Sequence, residues 1–168
     1  MARLLVLMFL GLITLPALAG SPVSRAGVEL IVNHEVSGPA GYVRRYQRPI
    51  CPACLTTASG VTVGIGYDLR HQTVERILID WAKHPQRSLL ASASGYKGQA
   101  AIDKARSMQG VVTPLPLAMD VLQEATLPRY WATARRTFGP GFASLPIHAQ
   151  DALSSVVYNR GGSTVGPA

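Results

Sequence analysis

The chain has 168 residues, a length that suits one domain with its own hydrophobic core. Its 16 Lys and Arg residues outnumber 9 Asp and Glu, and the net charge of +7 favours anionic partners such as cell-envelope polymers. The basic residues are scattered, with neither a long run nor interleaved aromatic side chains, so the sequence argues against nucleic acid as the partner.

The N-terminus has the organisation of a secretory signal peptide. Arg3 supplies a positive start, an apolar run extends from Leu4 to Leu15, and Ala17-Leu18-Ala19 has the small-x-small pattern of a cleavage site. We therefore expect residues 1–19 to be removed and residues 20–168 to form one exported, periplasmic or extracellular domain, a monomer without stable membrane insertion. The alternative is an uncleaved anchor, although the apolar run is short for a membrane span.

A first helix is predicted to begin after Ser24, a good N-cap residue, and to extend to about Glu35. Gly38-Pro39 is expected to end it. The helix carries an apolar stripe made of Val28, Ile31 and Val32.

Residues 36–59 are predicted to form a loop that contains both cysteines, Cys51 and Cys54. In an oxidising compartment, a C-P-A-C pair favours a local disulfide, and the short loop that it closes implies a modest gain in stability. The alternative is a thiol oxidoreductase motif. No βαβ pattern surrounds the pair, however, and Pro49 and Pro52 favour a loop.

Residues 60–67 alternate in the manner of a β-strand. By period two, Thr62, Gly64, Gly66 and Asp68 share one face. A straight strand would separate Thr62 from Asp68 by ~20 Å, so the chain must turn near Gly66 if both residues serve one site. The structural alternative is a glycine-rich hairpin in which Asp68 is only a turn residue. The opposite face carries Val61, Val63 and Ile65.

The rest of the sequence is predicted to be helical, apart from a loop over residues 86–98. One helix is expected to be capped by Thr73 and ended by Pro85, and a short helix to cover residues 98–109. Thr113-Pro114 opens the next helix, which Pro128 kinks or restarts and which continues from Tyr130 to Phe138. A last helix is expected from Pro146 to about Asn159. The last helix is expected to carry Ala149, Ala152, Leu153, Val156 and Val157 on one side, a stripe that a truncated lobe would expose around Val156. These elements predict an α+β fold that is mainly helical.

Glu35 has the setting of a general acid. It lies seven residues after Val28, so on a helix it continues the apolar stripe. It also lies at the helix C-terminus, where the helix dipole disfavours negative charge. Both effects raise a carboxyl pKa, and a raised pKa keeps an acid protonated near neutral pH. The alternative is a surface glutamate at a frayed helix end.

No cofactor and no metal are predicted. Gly64-Ile65-Gly66 begins a dinucleotide-binding pattern, but Leu69 occupies the last glycine position. The histidines have no metal-ligand spacing and are expected to be surface or internally satisfied residues: His34, His71, His84 and His148.

Three segments resemble one family. The run Thr62-Val63-Gly64-Ile65-Gly66-Tyr67-Asp68-Leu69 resembles the T-x-G-x-G segment of phage-type lysozymes, and its aspartate six residues after the threonine is most similar to the pesticin-like exported muramidases. The helix-ending glutamate of Asn33-His34-Glu35 is the other half of that pattern. The run from Asp151 to Gly162 resembles the central helix and glycine turn of the same fold.

The resemblance implies a lysozyme-like fold and hydrolysis of the β-1,4 bond between N-acetylmuramic acid and N-acetylglucosamine in peptidoglycan glycan strands. Glu35 would be the general acid, and Thr62 and Asp68 would hold and activate the attacking water, which implies inversion at the sugar. The residues implied to contact the substrate or to keep the cleft floor open are Gly64, Gly66, Tyr67 and Asn159.

The sequence departs from the family pattern at three places. Tyr67 stands where many phage lysozymes have histidine, and Thr56 stands where those enzymes have an aspartate ahead of the threonine. In this fold, further helices follow the Asn-Arg-Gly-Gly turn, whereas this sequence ends at Ala168, so the helical lobe is expected to be truncated or closed differently. Two further alternatives to a hydrolase stay open: a lytic transglycosylase and a non-catalytic peptidoglycan-binding module.

Overall fold

The protein is described by a computed structural model that covers residues 22–56 and 59–160. The predicted signal peptide and the glycine turn at residues 161–162 lie outside the described residues. The helices are α1 Arg25–Val36, α2 Gly38–Arg45, α3 Val74–Asp80, α4 Arg87–Ala91, α5 Gly98–Ser107, α6 Leu115–Asp120, α7 Leu127–Phe138 and α8 Ile147–Arg160, with strands β1 Thr62–Val63 and β2 Tyr67–Asp68. The predicted α+β class, mainly helical, is confirmed.

Helix α1 begins and packs as predicted. The Ser24 side chain accepts a hydrogen bond from Gly27 N–H, which satisfies one of the free donors at the helix start. The stripe of Val28, Ile31 and Val32 is buried. The helix therefore carries Glu35 in its last turn.

The prediction of a continuous loop over residues 36–59 is wrong, because Gly38–Arg45 forms helix α2. Ser37 ends α1 in the left-handed conformation, with a φ of 56°. Pro39 then lies in the first turn of α2, where a proline costs no hydrogen bond. Gly38-Pro39, expected to end the first helix, thus begins the second.

The predicted strand is a hairpin. Strands β1 and β2 are antiparallel, and they pair Thr62 with Asp68 and Val63 with Tyr67. Gly64 and Gly66 occupy the turn between the strands with φ values of 61° and 69°, which residues with a side chain rarely adopt. The chain therefore turns as expected, although the turn begins at Gly64 rather than near Gly66. The prediction of one alternating strand over residues 60–67 is wrong.

The second half of the chain agrees with prediction in outline. Thr73 caps α3 through a bond from Arg76 N–H, but the helix ends at Asp80, well before Pro85. The predicted loop over 86–98 contains the short helix α4, which is a further correction. Helix α5 is confirmed to within two residues of the expected end.

Pro128 interrupts the long helix, as predicted, and it does so through a π-helical segment over Val121–Thr126. Leu127 N–H donates to Leu122 O, a bond that spans five residues rather than four. A wider turn is needed here because Pro128 has no N–H to give and its ring crowds the preceding turn. The π-helical segment connects the end of α6 directly to the start of α7, so no loop separates the two helices.

Helix α8 is present, as predicted, and its apolar side is only partly buried. Ala152 and Val156 face outward, whereas the polar residues Asp151, Ser154 and Ser155 are buried. Asp151 accepts hydrogen bonds from Ser24 N–H, at 3.0 Å, and from the Ser24 hydroxyl. The helix is therefore turned by a polar contact with α1 rather than by its apolar stripe.

The hairpin joins two parts of the core. Val61, Val63 and Tyr67 pack with the side chains of α3, α4 and α5, including Trp81. Ile65, at the tip of the turn, packs instead with α1, α2 and α6. A third cluster links α7 and α8 through Ala134, Phe142 and Val157. Within the described ranges, no helix has both the length and the apolar character needed to cross a membrane.

Candidate active site

The end of α1 brings the Glu35 carboxyl against the hairpin turn. A Cβ atom placed on Gly66 would lie 2.7 Å from Glu35 Oε2, so glycine at this position makes the contact possible. Burial raises the pKa of Glu35, and the neighbouring His34 partly offsets that effect. The environment therefore favours the protonated carboxyl that an acid catalyst needs.

Asp68 is fixed by backbone donors at the base of the hairpin. Its Oδ2 accepts from Gly60 N–H at 3.0 Å, and its Oδ1 accepts from Arg70 N–H at 2.9 Å. Through the second bond it caps the 3-10 turn Leu69–His71 that follows β2. Two charge-assisted hydrogen bonds hold the carboxylate in one orientation.

Thr62 lies beside Asp68 but faces the interior. The Cα atoms of the two residues are direct partners across the hairpin, so their side chains leave the same face of the sheet. Thr62 is 9% exposed, and its hydroxyl donates to Gly60 O at 3.4 Å. The structure therefore places it next to Asp68 and behind the surface of the cleft described below.

A cleft of about 230 Å³ opens between the hairpin and α7. Its walls combine acidic, basic, hydroxyl and aromatic side chains. They are formed by Gly66, Tyr67, Asp68, His71, Gln72, Thr126, Arg129, Tyr130 and Thr133. Glu35 is not among these lining residues; it approaches the cleft through its contact with Gly66, and Tyr130 lies near both Glu35 and Asp68.

A buried ion pair supports the α7 wall of the cleft. Arg129 donates a hydrogen bond from Nη1 to Asp80 Oδ1 at 2.9 Å, and its Nη2 forms an ion pair with Oδ2 at 2.7 Å. The Tyr67 hydroxyl donates to the same carboxylate at 2.7 Å, so Tyr67 is tied into the core although its surface lines the cleft. Burial, helped by Asp80, raises the pKa of Tyr67.

Tyr158 and Tyr130 form the far side of the Glu35 site. The Tyr158 hydroxyl donates to Ile65 O in the hairpin turn, and its ring centroid lies 4.8 Å from that of Tyr130. Neither tyrosine, nor Arg129, was predicted as a site residue. Tyr158 stands inside the lysozyme-like segment of α8, which was a usable signal, whereas nothing in the local pattern marks Arg129 or Tyr130.

The remaining predicted substrate contacts are distributed unequally. Gly66 lines the cleft, whereas Gly64 is buried where a Cβ atom would lie 2.8 Å from Trp81 Cη2. Asn159 is exposed on α8, and its side-chain amide donates to Ser155 O at 3.0 Å. Gly64 therefore serves packing of the turn on Trp81, and Asn159 lies outside the set of residues that lines the cleft.

Cys51 and Cys54 form a disulfide, as predicted, with a Cα–Cα distance of 5.6 Å. Cys54 is buried beside the hairpin, and its sulfur lies 3.4 Å from Gly60 O. Gly60 also donates to Asp68, so the disulfide supports the base of the hairpin.

The described residues contain no group of three or more His, Cys, Asp or Glu side chains placed to hold a metal ion. Both ring nitrogens of the buried His84 have partners, Gln86 N–H and the Thr113 hydroxyl, in agreement with the expectation of a satisfied histidine. Comparisons with protein-family models, with curated proteins and with solved structures found no match.

Proposed function

We propose that this protein is a lysozyme-like muramidase that hydrolyses the β-1,4 bond of peptidoglycan glycan strands. The observation that carries the proposal is the contact of the Glu35 carboxyl, whose pKa is raised by burial, with the same hairpin that holds Asp68 in the cleft. A protonated acid and a fixed carboxylate, here brought together by one hairpin, are the two groups that glycoside hydrolysis requires.

In the proposed reaction, protonated Glu35 gives its proton to the glycosidic oxygen as the bond to the leaving sugar breaks. Asp68 accepts a proton from a water molecule, whose oxygen attacks the anomeric carbon from the opposite face. The two backbone bonds to Asp68 orient its carboxylate for this step. Thr62, its partner across the hairpin, donates to the carbonyl of Gly60, whose N–H holds Asp68, and so supports that orientation through Gly60.

The substrate side of the proposal rests on charge and on the cleft walls. A chain of net charge +7 is attracted to anionic cell-wall polymers. The cleft lining combines the aromatic ring of Tyr130 with the polar side chains of Gln72 and His71, groups that suit a sugar with apolar faces and polar edges.

Digestion of purified peptidoglycan, with products identified by mass spectrometry, tests the proposal. We expect the parent protein to release muropeptides with a free reducing end. Glu35→Gln and Asp68→Asn should each reduce the rate by about 10²–10⁴-fold, because each removes one proton-transfer step. Glu29→Gln is the matched control, since Glu29 is an exposed residue of the same helix, paired with Arg25 at 3.0 Å, and its loss should leave the rate unchanged.

Each other outcome contradicts a stated part of the proposal. Anhydro products that survive Asp68→Asn would replace hydrolysis by lytic transglycosylase action, which needs the acid but no water-holding carboxylate. A folded parent that binds peptidoglycan without cleaving it, and binds equally well as Glu35→Gln, would be a non-catalytic wall-binding module. Loss of function only in a Cys51→Ser, Cys54→Ser variant would indicate thiol chemistry instead.

A further inference from the structure

Tyr158 links helix α8 to the hairpin turn by a contact that spans 93 residues of sequence. Its hydroxyl donates to the carbonyl oxygen of Ile65, the residue between the two turn glycines. Ile65 itself is buried among residues of α1, α2 and α6. The hydrogen bond therefore fixes the tip of the hairpin from the side of α8, where the short two-residue strands provide little constraint of their own.

The same hydroxyl lies at the position where the turn meets Glu35. A Cβ atom on Gly66 would be 2.7 Å from Glu35 Oε2 and 3.0 Å from the Tyr158 hydroxyl oxygen. Gly66, the acid and the tyrosine thus form one contact with no space for an added methyl group. A small outward movement of the turn would open this contact to water.

The titratable groups around Glu35 are few, and burial outweighs them. His34 acts from the same helix and lowers the pKa of Glu35, although burial raises it more. Tyr158 from α8 and Tyr130 from α7 are neutral neighbours; burial is the main cause of the raised pKa of both, Glu35 adds to it, and Arg129 of α7 opposes it. Asp68 lies across the cleft, near enough to act on Tyr130. The protonation of Glu35 should therefore respond mainly to how well the turn excludes water.

We propose that Tyr158 is a positioning residue for the Glu35 carboxyl. Through its hydrogen bond to Ile65 O, Tyr158 holds the hairpin turn against the end of α1, where Glu35 lies. The inference rests on the proposed function of Glu35 as the general acid. When the bond is lost, the turn moves outward and water reaches the carboxyl. Glu35 then ionises at lower pH, and less of the protein carries the catalytic proton near neutral pH.

Tyr158→Phe removes the hydroxyl and keeps the ring that packs on Tyr130. We expect kcat on peptidoglycan to fall about 10-fold at neutral pH, and the alkaline limb of the kcat profile to move to lower pH. At pH values below that limb the activity should return toward the parent level, because the remaining carboxyls are protonated again. A merely structural tyrosine would lower stability without moving the limb.

Tyr42→Phe is the matched control. Tyr42 is fully buried, its hydroxyl donates to a backbone carbonyl, Thr113 O at 2.8 Å, and it is not one of the residues that line the cleft. Both variants lose one tyrosine–carbonyl bond and should lose a similar stability, about 1 kcal/mol. Only Tyr158→Phe should shift the pH profile.

Direct titration of the Glu35 side-chain carboxyl by NMR, in the full chain with and without Tyr158→Phe, separates this inference from the proposed function. A lower midpoint in the variant supports the positioning role even if the parent has no hydrolase activity, in which case only the proposed function fails. Titration curves and alkaline limbs that coincide in parent and variant overturn the inference. Circular dichroism and thermal melting establish that each variant is folded.

Discussion

At the scale of single residues, Glu35 shows how its surroundings set its protonation. The sequence predicted a raised pKa from its place on the apolar stripe and at the end of a helix, and the structure agrees in direction. The physical cause is chiefly burial of the carboxyl against Gly66, a contact across the fold that the helical pattern alone did not contain.

Because its pKa is raised, ionised Glu35 lowers the stability of the folded state, and the direction of this effect can be tested. The unfolded carboxyl titrates near 4.5, and the folded one at a higher pH, so the folded state binds the proton more tightly. Stability due to this group is present below pH 4.5 and is lost as the pH rises through the folded pKa. We therefore expect Glu35→Gln, which cannot ionise, to have a higher Tm than the parent at pH 7.

Thermal unfolding monitored by circular dichroism between pH 4 and pH 8 measures this difference. The gap in Tm should shrink toward zero at the acid end, and the exposed control Glu29→Gln should show no such gap. A lower Tm for Glu35→Gln at pH 7 would mean that the ionised carboxyl is stabilised by its neighbours, which contradicts the assigned environment.

At the scale of elements, the hairpin turn depends on two glycines with positive φ. Gly64 approaches the Trp81 ring, and Gly66 approaches Glu35 and Tyr158. The turn can lie this close to the acid only because Gly66 carries no side chain. Gly66 therefore serves the contact between the hairpin and α1, and Gly64 serves the packing of the turn on Trp81.

Gly66→Ala should destabilise the protein more than Gly95→Ala. Gly95 also has a positive φ, of 77°, but a Cβ atom there meets nothing within 4 Å, so its substitution costs only the backbone strain of about 1–2 kcal/mol. Gly66→Ala adds the displacement of Glu35 and Tyr158, and we expect a total loss of roughly 2–4 kcal/mol. Urea unfolding of both variants measures the difference; equal losses would show that the turn yields without cost to its neighbours.

At the scale of the whole molecule, Asp151 sets the position of α8 relative to α1. It is 5% exposed and accepts two hydrogen bonds from Ser24, the residue that caps α1. A Cβ atom on Gly27 would lie 2.5 Å from Asp151 Cγ, so the two helices meet closely at this point. Because α1 carries Glu35 and α8 carries Tyr158, this polar joint aligns two sides of the candidate site.

Asp151→Ala should therefore cost about 2–4 kcal/mol, since it leaves the Ser24 donors without their buried acceptor. Asp103→Ala is the control, because Asp103 is an exposed residue of α5 whose ion pair with Arg106 is worth little. Chemical denaturation of the two variants gives the comparison. A loss below about 1 kcal/mol for Asp151→Ala would show that other contacts, rather than this joint, place α8.

Several features were determined by the sequence alone because they depend on neighbours along the chain. Ser24 and Thr73 cap their helices through bonds to residues three positions on, Pro128 disturbs its helix by lacking an N–H, and Cys51 and Cys54 are close enough in sequence to pair. The mainly helical class follows from the same kind of local signal. The catalytic and binding roles assigned from the lysozyme resemblance stay predictions.

The tertiary structure alone decided which face of α8 turns inward and which distant groups meet at the site. Helix α8 buries Asp151 rather than Val156, because a carboxylate with donors on α1 is satisfied in the interior, and apolar periodicity does not register such a partner. Likewise, Glu35 and Tyr158 meet at Gly66 only through the packing of α1 and α8 on the hairpin. The contacts that build the candidate site join residues far apart in sequence, and no local pattern encodes those distances.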